Sequence, residues 1–271
     1  MIKSKVSKAV MYIFLIITFV LSVFPLYWML VSTTNSSADI LNGRLLPGSY
    51  LSTNIKTFLE HYDLHTALKN SCIYACLSTI LSLLICSLAG YGFEIYHDKI
   101  KDKIMAIILL AMMVPFITIL FPLYKMFATA GLVNSIAAMI LPTLSTPFLI
   151  MLFRNSTRTF PTEIIEAARI DGMGEAKMFF RIYMPTMKST YAAAMTITFM
   201  NAWNSFLWPK VIAQTPSAQS MTMLVASTIG GNLTNYGEVM ISVTICTIPT
   251  VILFFFMQKS FASGISGAVK S

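Results

Sequence analysis

Side chains able to do chemistry are few in this chain, and most stand in one stretch. Of its 271 residues, 11% are charged and 56% hydrophobic. Residues 154–188, RNSTRTFPTEIIEAARIDGMGEAKMFFRIYMPTMK, hold six of the nineteen Lys and Arg and four of the eleven Asp and Glu. His61 and His65 flank Asp63, a spacing that could place two metal ligands on one helical face. Two ligands without a third make a weak site, and a short amphipathic surface segment is the better reading. Cys72 and Cys76 also share a helical face. Like Cys86 and Cys246 they lie in apolar runs, where a free thiol packs as a small hydrophobe. The chain has no Gly-Lys dipeptide, hence no phosphate loop of the usual form. No nucleophile, base and orienting acid recur in a recognisable arrangement. The expectation is a chain that is not an enzyme and binds no metal and no cofactor of its own.

The elements that must position the charged stretch are apolar. A soluble domain carries about 25% charged residues, so the fold class is an all-α integral membrane protein. At about 20 residues per crossing, six spans fit at 9–31, 67–93, 104–124, 135–153, 189–208 and 237–257, with no room for a separate soluble domain. The chain therefore reads as a single transmembrane domain over 1–271. Lys3, Lys5 and Lys8 precede the first apolar run. That run is longer than the roughly 7–15 residues of a signal-peptide core and ends in no small-x-small site, so it reads as a retained span.

Span 2 is rich in small and hydroxyl residues, including Ser71, Ala75, Ser78, Ser82 and Gly90, which let helices approach closely in lipid. Pro115, Pro122, Pro142 and Pro147 should bend spans 3 and 4. With both termini cytoplasmic, fourteen of the nineteen Lys and Arg fall on the inner side. The net charge of +8 thus reads as topology, with no nucleic-acid partner. Residues 154–188 become a cytoplasmic loop between spans 4 and 5.

Inside that loop, Pro161 suits the first turn of a helix and Glu163 its positive end. Ile164, Ile165 and Ala168 make a narrow apolar face, and Glu166 and Arg169 can pair at i, i+3. Gly172 falls where a helix ends in the left-handed conformation. Gly174 opens a second segment with Met178, Phe179 and Ile182 on its apolar side, ended by Pro185. The loop reads as helix, tight turn and helix, a compact knob.

At EAARIDGMG, with the Met184-Pro185 pair thirteen residues past Gly172, the chain resembles the cytoplasmic coupling loop of permease subunits in ABC importers. Met184 stands where that family usually has Leu. The likeness extends from about Leu81 onward. GLVNS (131–135), FPTEIIEAARIDG (160–172), WNSFLWP (203–209) and SGISGAVK (263–270) are similar to the maltose-type carbohydrate permeases.

The resemblance implies the type I ABC importer permease fold and one subunit of an ATP-driven, binding-protein-dependent importer in a bacterial cytoplasmic membrane. Its cargo would be a sugar, an oligosaccharide, moved by alternating access. Implied partners are a second homologous permease, two ATP-binding subunits that carry ATP and Mg, and an extracytoplasmic sugar-binding protein. Glu166, Ala167, Ala168, Asp171, Gly172 and Pro185 would form the coupling site. Gly264 and Gly267 would mark a tail contact to the ATPases, and the region around Gly230-Gly231-Asn232 would probe the binding protein.

A substrate path through Asn201, Trp203 and Asn204 competes with a bland reading, in which Trp203 and Trp208 join the aromatic belt and the asparagines cement helix contacts. A glycerol-phosphate or other polyol is the alternative cargo. An ion-coupled secondary transporter would need ionisable groups inside spans. Glu94 and Glu238 lie only at span ends, so it is the lesser alternative.

Overall fold

A computed structural model describes residues 2–230 and 234–268, with side chains over 8–230 and 234–257. Gly231, Asn232 and Lys270 lie outside the described residues. Gly264 and Gly267 fall where only the backbone is described.

Every regular element described is helical, as an apolar chain in lipid requires, because a helix satisfies its own backbone. In order they are α1 (Ile2–Ser32), α2 (Ser37–Leu41), α3 (Leu51–His61), α4 (Leu64–Ile95), α5 (Lys99–Ala111), α6 (Phe116–Thr129), α7 (Ile136–Ile140), α8 (Pro147–Thr157) and α9 (Thr162–Ile170). Then come α10 (Glu175–Met178), α11 (Met184–Thr186), α12 (Lys188–Trp203), α13 (Leu207–Ile212), α14 (Met221–Ile229) and α15 (Tyr236–Ala268). Three stretches are long and apolar enough to cross a membrane: Lys8–Ser32, Leu64–Ile95 and Tyr236–Met257. α5 with α6, and α7 with α8, meet the same test as pairs bent by 98° and 47°.

Three expected helices are interrupted. The kink anticipated in 104–124 is a full break at Met112–Pro115. Pro115 has no amide to donate and disfavours helical geometry at Val114, so α6 starts afresh behind it. The helix anticipated over 135–153 is likewise divided, with Pro142 in a 3₁₀ turn and Pro147 opening α8. The helix anticipated over 189–208 stops at Trp203. Asn204 folds its amide back onto the Met200 carbonyl (2.9 Å), and Pro209 then sits in the first turn of α13, where its missing N–H costs nothing.

The chain divides into two compact units. One holds the chain up to Leu64 with Leu224–Pro249. In it the polar segment after α1 is ordered by hydrogen bonds. Ser36 and Asp39 form a capping box on α2. Asn54 is buried on α3 and donates to the carbonyls of Thr33 and Asn35, both at 2.9 Å. Gly237 packs so closely on the Asn54 amide that a Cβ would collide with it. His61 Nδ1 lies 3.0 Å from Glu238 Oε1, which also accepts from Asn235. His61 thus serves a helix-to-helix contact. Along α1 the apolar side chains from Val10 to Leu21 are exposed, as on a lipid-facing helix.

The other unit holds His65–Met223 and the described chain from Thr250 onward. Its axis is α4, whose Ser71, Ala75, Ser78, Ser82 and Cys86 form a buried stripe at helical spacing. The stripe does more than allow close approach. The break between α7 and α8 frees backbone carbonyls, and α4 supplies donors for them. Ser82 Oγ donates to the Thr143 carbonyl at 2.9 Å, and Cys86 Sγ to that of Leu144 at 3.5 Å. Of the other cysteines, Cys72 and Cys76 are exposed and Cys246 is half-buried.

In the same unit Gly131 (φ +68°) and Asn134 (φ +64°) make the left-handed turn of GLVNS. Asn134 Oδ1 accepts from the amide of Thr215 at 3.0 Å, joining this turn to the end of α13. Trp208 Nε1 donates to the Ala138 carbonyl at 2.9 Å.

Candidate functional site

The charged stretch begins inside α8. Pro161 is the N-cap of α9, one residue earlier than the first-turn position anticipated, and Glu163 lies in the first turn. α9 closes in a Schellman motif. The Met173 amide donates to the Ala168 carbonyl (2.9 Å), the Gly172 amide to that of Arg169 (3.0 Å), and Gly172 has φ +77°. Gly174 then caps α10.

The second segment continues past Pro185, which was expected to end it. Phe179–Tyr183 forms a π turn, with the Met184 amide bonded to the Phe179 carbonyl. That widened turn precedes a proline that has no amide of its own to donate. Pro185 therefore lies inside α11, and the chain breaks at Met187 before α12.

α9 has two faces. Ile165 (1% exposed) and Ala168 are buried in a cluster with Phe160, Met178, Phe179, Tyr183, Met187 and Tyr91 of α4. The rings of Tyr91 and Tyr183 meet at 4.8 Å, and those of Phe160 and Tyr183 at 5.6 Å. The opposite face carries Glu163, Ile164, Glu166, Ala167, Asp171 and Gly172, with Ile170 88% exposed at the tip. Ile164, expected on the apolar anchor, is on this open side. The result is a rigid stub that presents small, acidic and apolar groups outward.

Arg169 does not pair with Glu166. Its Nε donates to Glu175 Oε1 at 3.0 Å and its Nη2 to the Tyr96 hydroxyl at 3.1 Å. The guanidinium also lies 5.3 Å from the Tyr96 ring, and such contacts add modestly at exposed sites. The Tyr96 hydroxyl, and after it Arg169, hold the Glu175 carboxyl below its ordinary range. Glu166 is left on the open face.

Sequence reasoning missed what fastens the stub. Arg154 is 4% exposed. Its Nε donates to Glu94 Oε2 at 3.1 Å and its Nη2 to Asp102 Oδ1 at 2.5 Å. Arg158 reaches the same Glu94 oxygen at 3.4 Å. One turn beyond Arg154, Thr157 Oγ1 lies 2.7 Å from the Tyr183 hydroxyl, both buried. Burial pushes the Tyr183 phenol far up, so it remains protonated. The only signal for these links was two acids, Glu94 and Asp102, flanking a lysine-rich turn. Partners some 60 residues apart in sequence cannot be matched from spacing alone.

Of the residues proposed for a substrate path, Asn201 and Asn204 are exposed at the end of α12 and Trp203 is buried. Trp203 is 2% exposed and stacks on Phe199, which leaves no open ring face for a solute. Trp208 is buried as well, so neither tryptophan is an exposed belt residue.

The family described as "Binding-protein-dependent transport system inner membrane component" matches residues 82–267, which contain the whole stub and its anchors. The chain belongs to this family. It is a multi-pass membrane protein of the ABC transporter permease class, whose members are the membrane subunits.

Among relatives, the chain is 39% identical to the lactose transport system permease protein LacG of Rhizobium radiobacter, over 99% of this chain and 98% of the relative. It is 31% identical to the melibiose/raffinose/stachyose import permease protein MelC of Bacillus subtilis, over 91% of each. It is 29% identical to the sn-glycerol-3-phosphate transport system permease protein UgpE of Yersinia pestis, over 96% of each. In fold it matches a chain of a bacterial ABC transporter involved in the import of the acidic polysaccharide alginate. There the TM-score is 0.84, with 96% of this chain and 98% of that one covered at 20% identity. It also matches a chain of the MetNI methionine ABC transporter in an inward-facing conformation, with a TM-score of 0.57 over 74% and 95% of the two chains at 17% identity.

Proposed function

We propose that this chain is one half of the membrane pore of an ATP-driven sugar importer, working with a second permease, two ATPase subunits and an extracytoplasmic binding protein. The observation that carries the reading is the α9 stub. It is anchored through Ile165 and Ala168 and closed by a left-handed glycine, in a chain whose relatives bear the names of sugar permeases. Glu166, Ala167, Asp171 and Gly172 present the docking face to the ATPase. Ala168 and Pro185 act from behind it, one as anchor and one in the following helical turn. ATP and Mg bind on the partner. When ATP draws the ATPases together, a stub with no slack transmits the movement into the permease and switches the side to which the pore opens.

Six crossings are the topology this reading requires: α1, α4, the α5–α6 pair, the α7–α8 pair, α12 and α15. At 1.5 Å per residue the sixteen residues of α12 reach about 24 Å, short of a core of about 30 Å, so α13 or a tilted neighbour completes that crossing. Both termini and residues 154–188 lie in the cytoplasm, and the membrane is the bacterial inner one. Asn201 and Asn204 remain candidates for the path, and Gly264 and Gly267 for the tail contact.

The test is co-purification in mild detergent. An ATPase subunit and a second permease should accompany the chain, and the complex should take up radiolabelled lactose in vesicles when supplied with its binding protein. Uptake by the chain alone, without ATP, would overturn the reading. UgpE among the relatives supports glycerol 3-phosphate as the second choice. Comparing lactose, raffinose and glycerol 3-phosphate by thermal shift of the binding protein decides between them.

A further inference from the structure

We propose that Arg154 is the positioning residue that makes the stub, the end of α4 and the start of α5 move as one piece. The proposal rests on the reading of residues 154–188 as the coupling loop.

Three observations lead to it. First, Arg154 is buried at the end of α8, and its fork reaches carboxylates on two other elements, Glu94 on α4 and Asp102 on α5. A guanidinium can bridge two separate acceptors with fixed geometry, whereas a lysine presents one point charge.

Second, α8 is pressed onto α4 beside this bridge. A Cβ at Gly90, one turn before Glu94, would lie 2.6 Å from Phe153 Cβ and 2.8 Å from the Arg154 amide nitrogen. The two helices therefore have no slack where the bridge forms.

Third, the bridge adjoins the stub's own anchor. Thr157, three residues after Arg154, meets the Tyr183 hydroxyl, and Tyr183 packs on Tyr91 of α4. Movement of α9 passes through Tyr183 to α4 and α8, and the remaining element is α5. α5 is cut from α6 by the break at Met112–Pro115, so it cannot be steered from that end through a continuous helix. Met105 gives it apolar contact with α8 and α4, which permits sliding, while the directional bond from Arg154 sets its position. His97 Nε2, 3.0 Å from Asp102 Oδ2, holds the second carboxylate oxygen.

A residue of this kind sets how much of the ATPase motion reaches the pore. A plain stabilising pair would set only how much complex exists. The two roles separate in the purified, reconstituted complex, where lactose transported per ATP hydrolysed is measured. In Arg154→Lys the ATPase should still co-purify and hydrolyse ATP. The transport ratio should fall by about tenfold, within the range of measured couplings between sites. Glu94→Gln and Asp102→Asn each take the charge from one arm, and should lower the ratio even if Arg154→Lys fails to assemble.

A second readout needs no cargo. With spin labels at Lys177→Cys on α10 and Lys103→Cys on α5, both exposed, in a chain whose native cysteines are serine, ATP should leave the distance unchanged with Arg154 present and alter it in Arg154→Lys. If transport and hydrolysis fall in parallel, or the ratio is unchanged in all three variants, Arg154 is a structural pair and the proposal is wrong. If the unaltered chain carries no ATPase at all, it is the importer reading that fails, and this inference with it.

Discussion

The Tyr183 hydroxyl and Thr157 Oγ1 lie 2.7 Å apart in a site closed to water, and Thr157 Oγ1 also lies 2.7 Å from the Phe153 carbonyl. The consequences of removing either partner are unequal. Tyr183→Phe takes away one hydroxyl and leaves Thr157 its bond to Phe153, at a cost of about 1 kcal/mol. Thr157→Val leaves a buried phenol with nothing to bond, at about 1–3 kcal/mol. Thermal unfolding of the purified complex should therefore show Thr157→Val as the less stable variant. Equal midpoints would mean that water reaches the site.

Within this chain the constraint at Gly172 is one of backbone conformation. Its φ is +77° and a Cβ would meet nothing within 4 Å. Gly172→Asn should keep most uptake, since Asn tolerates this region. Gly172→Val should lose most of it while the protein still reaches the membrane, because a β-branched residue resists the left-handed conformation at a cost on the order of 1–2 kcal/mol. Immunoblots of membranes beside uptake assays make the comparison. Similar uptake in the two variants would count against a rigid turn.

Two glycines on α4 should respond in opposite ways. Gly90→Ala forces a methyl against Phe153 and the Arg154 backbone, overpacking of a kind that costs about 1–3 kcal/mol. Gly92→Ala meets nothing within 4 Å and gains helix propensity, so it should be neutral or slightly stabilising. Melting temperatures of the two variants in one detergent decide the point.

The pair Arg169–Glu175 has a defined pH window. Glu175 is held below its ordinary value of 4.5, first by Tyr96 and then by Arg169. A lowered folded-state value means that its contribution is complete above the unfolded value and is lost as pH falls through the folded one. Uptake and stability should therefore not change between pH 7.5 and 5.5 on its account. Because the pair is exposed, Glu175→Gln should lower stability by less than about 1 kcal/mol, seen as a shift in unfolding midpoint at pH 7 that shrinks as pH falls below the ordinary value of 4.5. A shift that stayed constant at every pH below 4.5 would show that another contact of Glu175 matters more.

Local order alone was enough to reveal the knob. The Glu-Ala-Ala-x-x-x-Gly spacing, a proline ahead of the helix and a glycine behind it act within a dozen residues, and capping depends on neighbours in sequence. The buried stripe of α4 was legible for the same reason, since Ser71, Ala75, Ser78 and Ser82 repeat at helical period. Ile164 and Arg169 went the other way. Which side of α9 is anchored, and which acid Arg169 meets, depends on where Tyr91 and Tyr96 of a distant segment arrive.

By itself, then, the sequence determined the membrane class, the run of helices, the left-handed close at Gly172 and the likeness to importer permeases. Each follows from composition or from spacing within one turn or two. Only the tertiary structure decided that Pro115 breaks a helix where a kink was expected, and that Ser82 and Cys86 of α4 serve the carbonyls freed between α7 and α8. It also decided that Trp203 is buried and that Arg154 joins Glu94 to Asp102. Apart from the break at Pro115, each of these requires groups far apart in the chain to meet, and a buried polar group takes whichever partner the packing brings within about 3 Å.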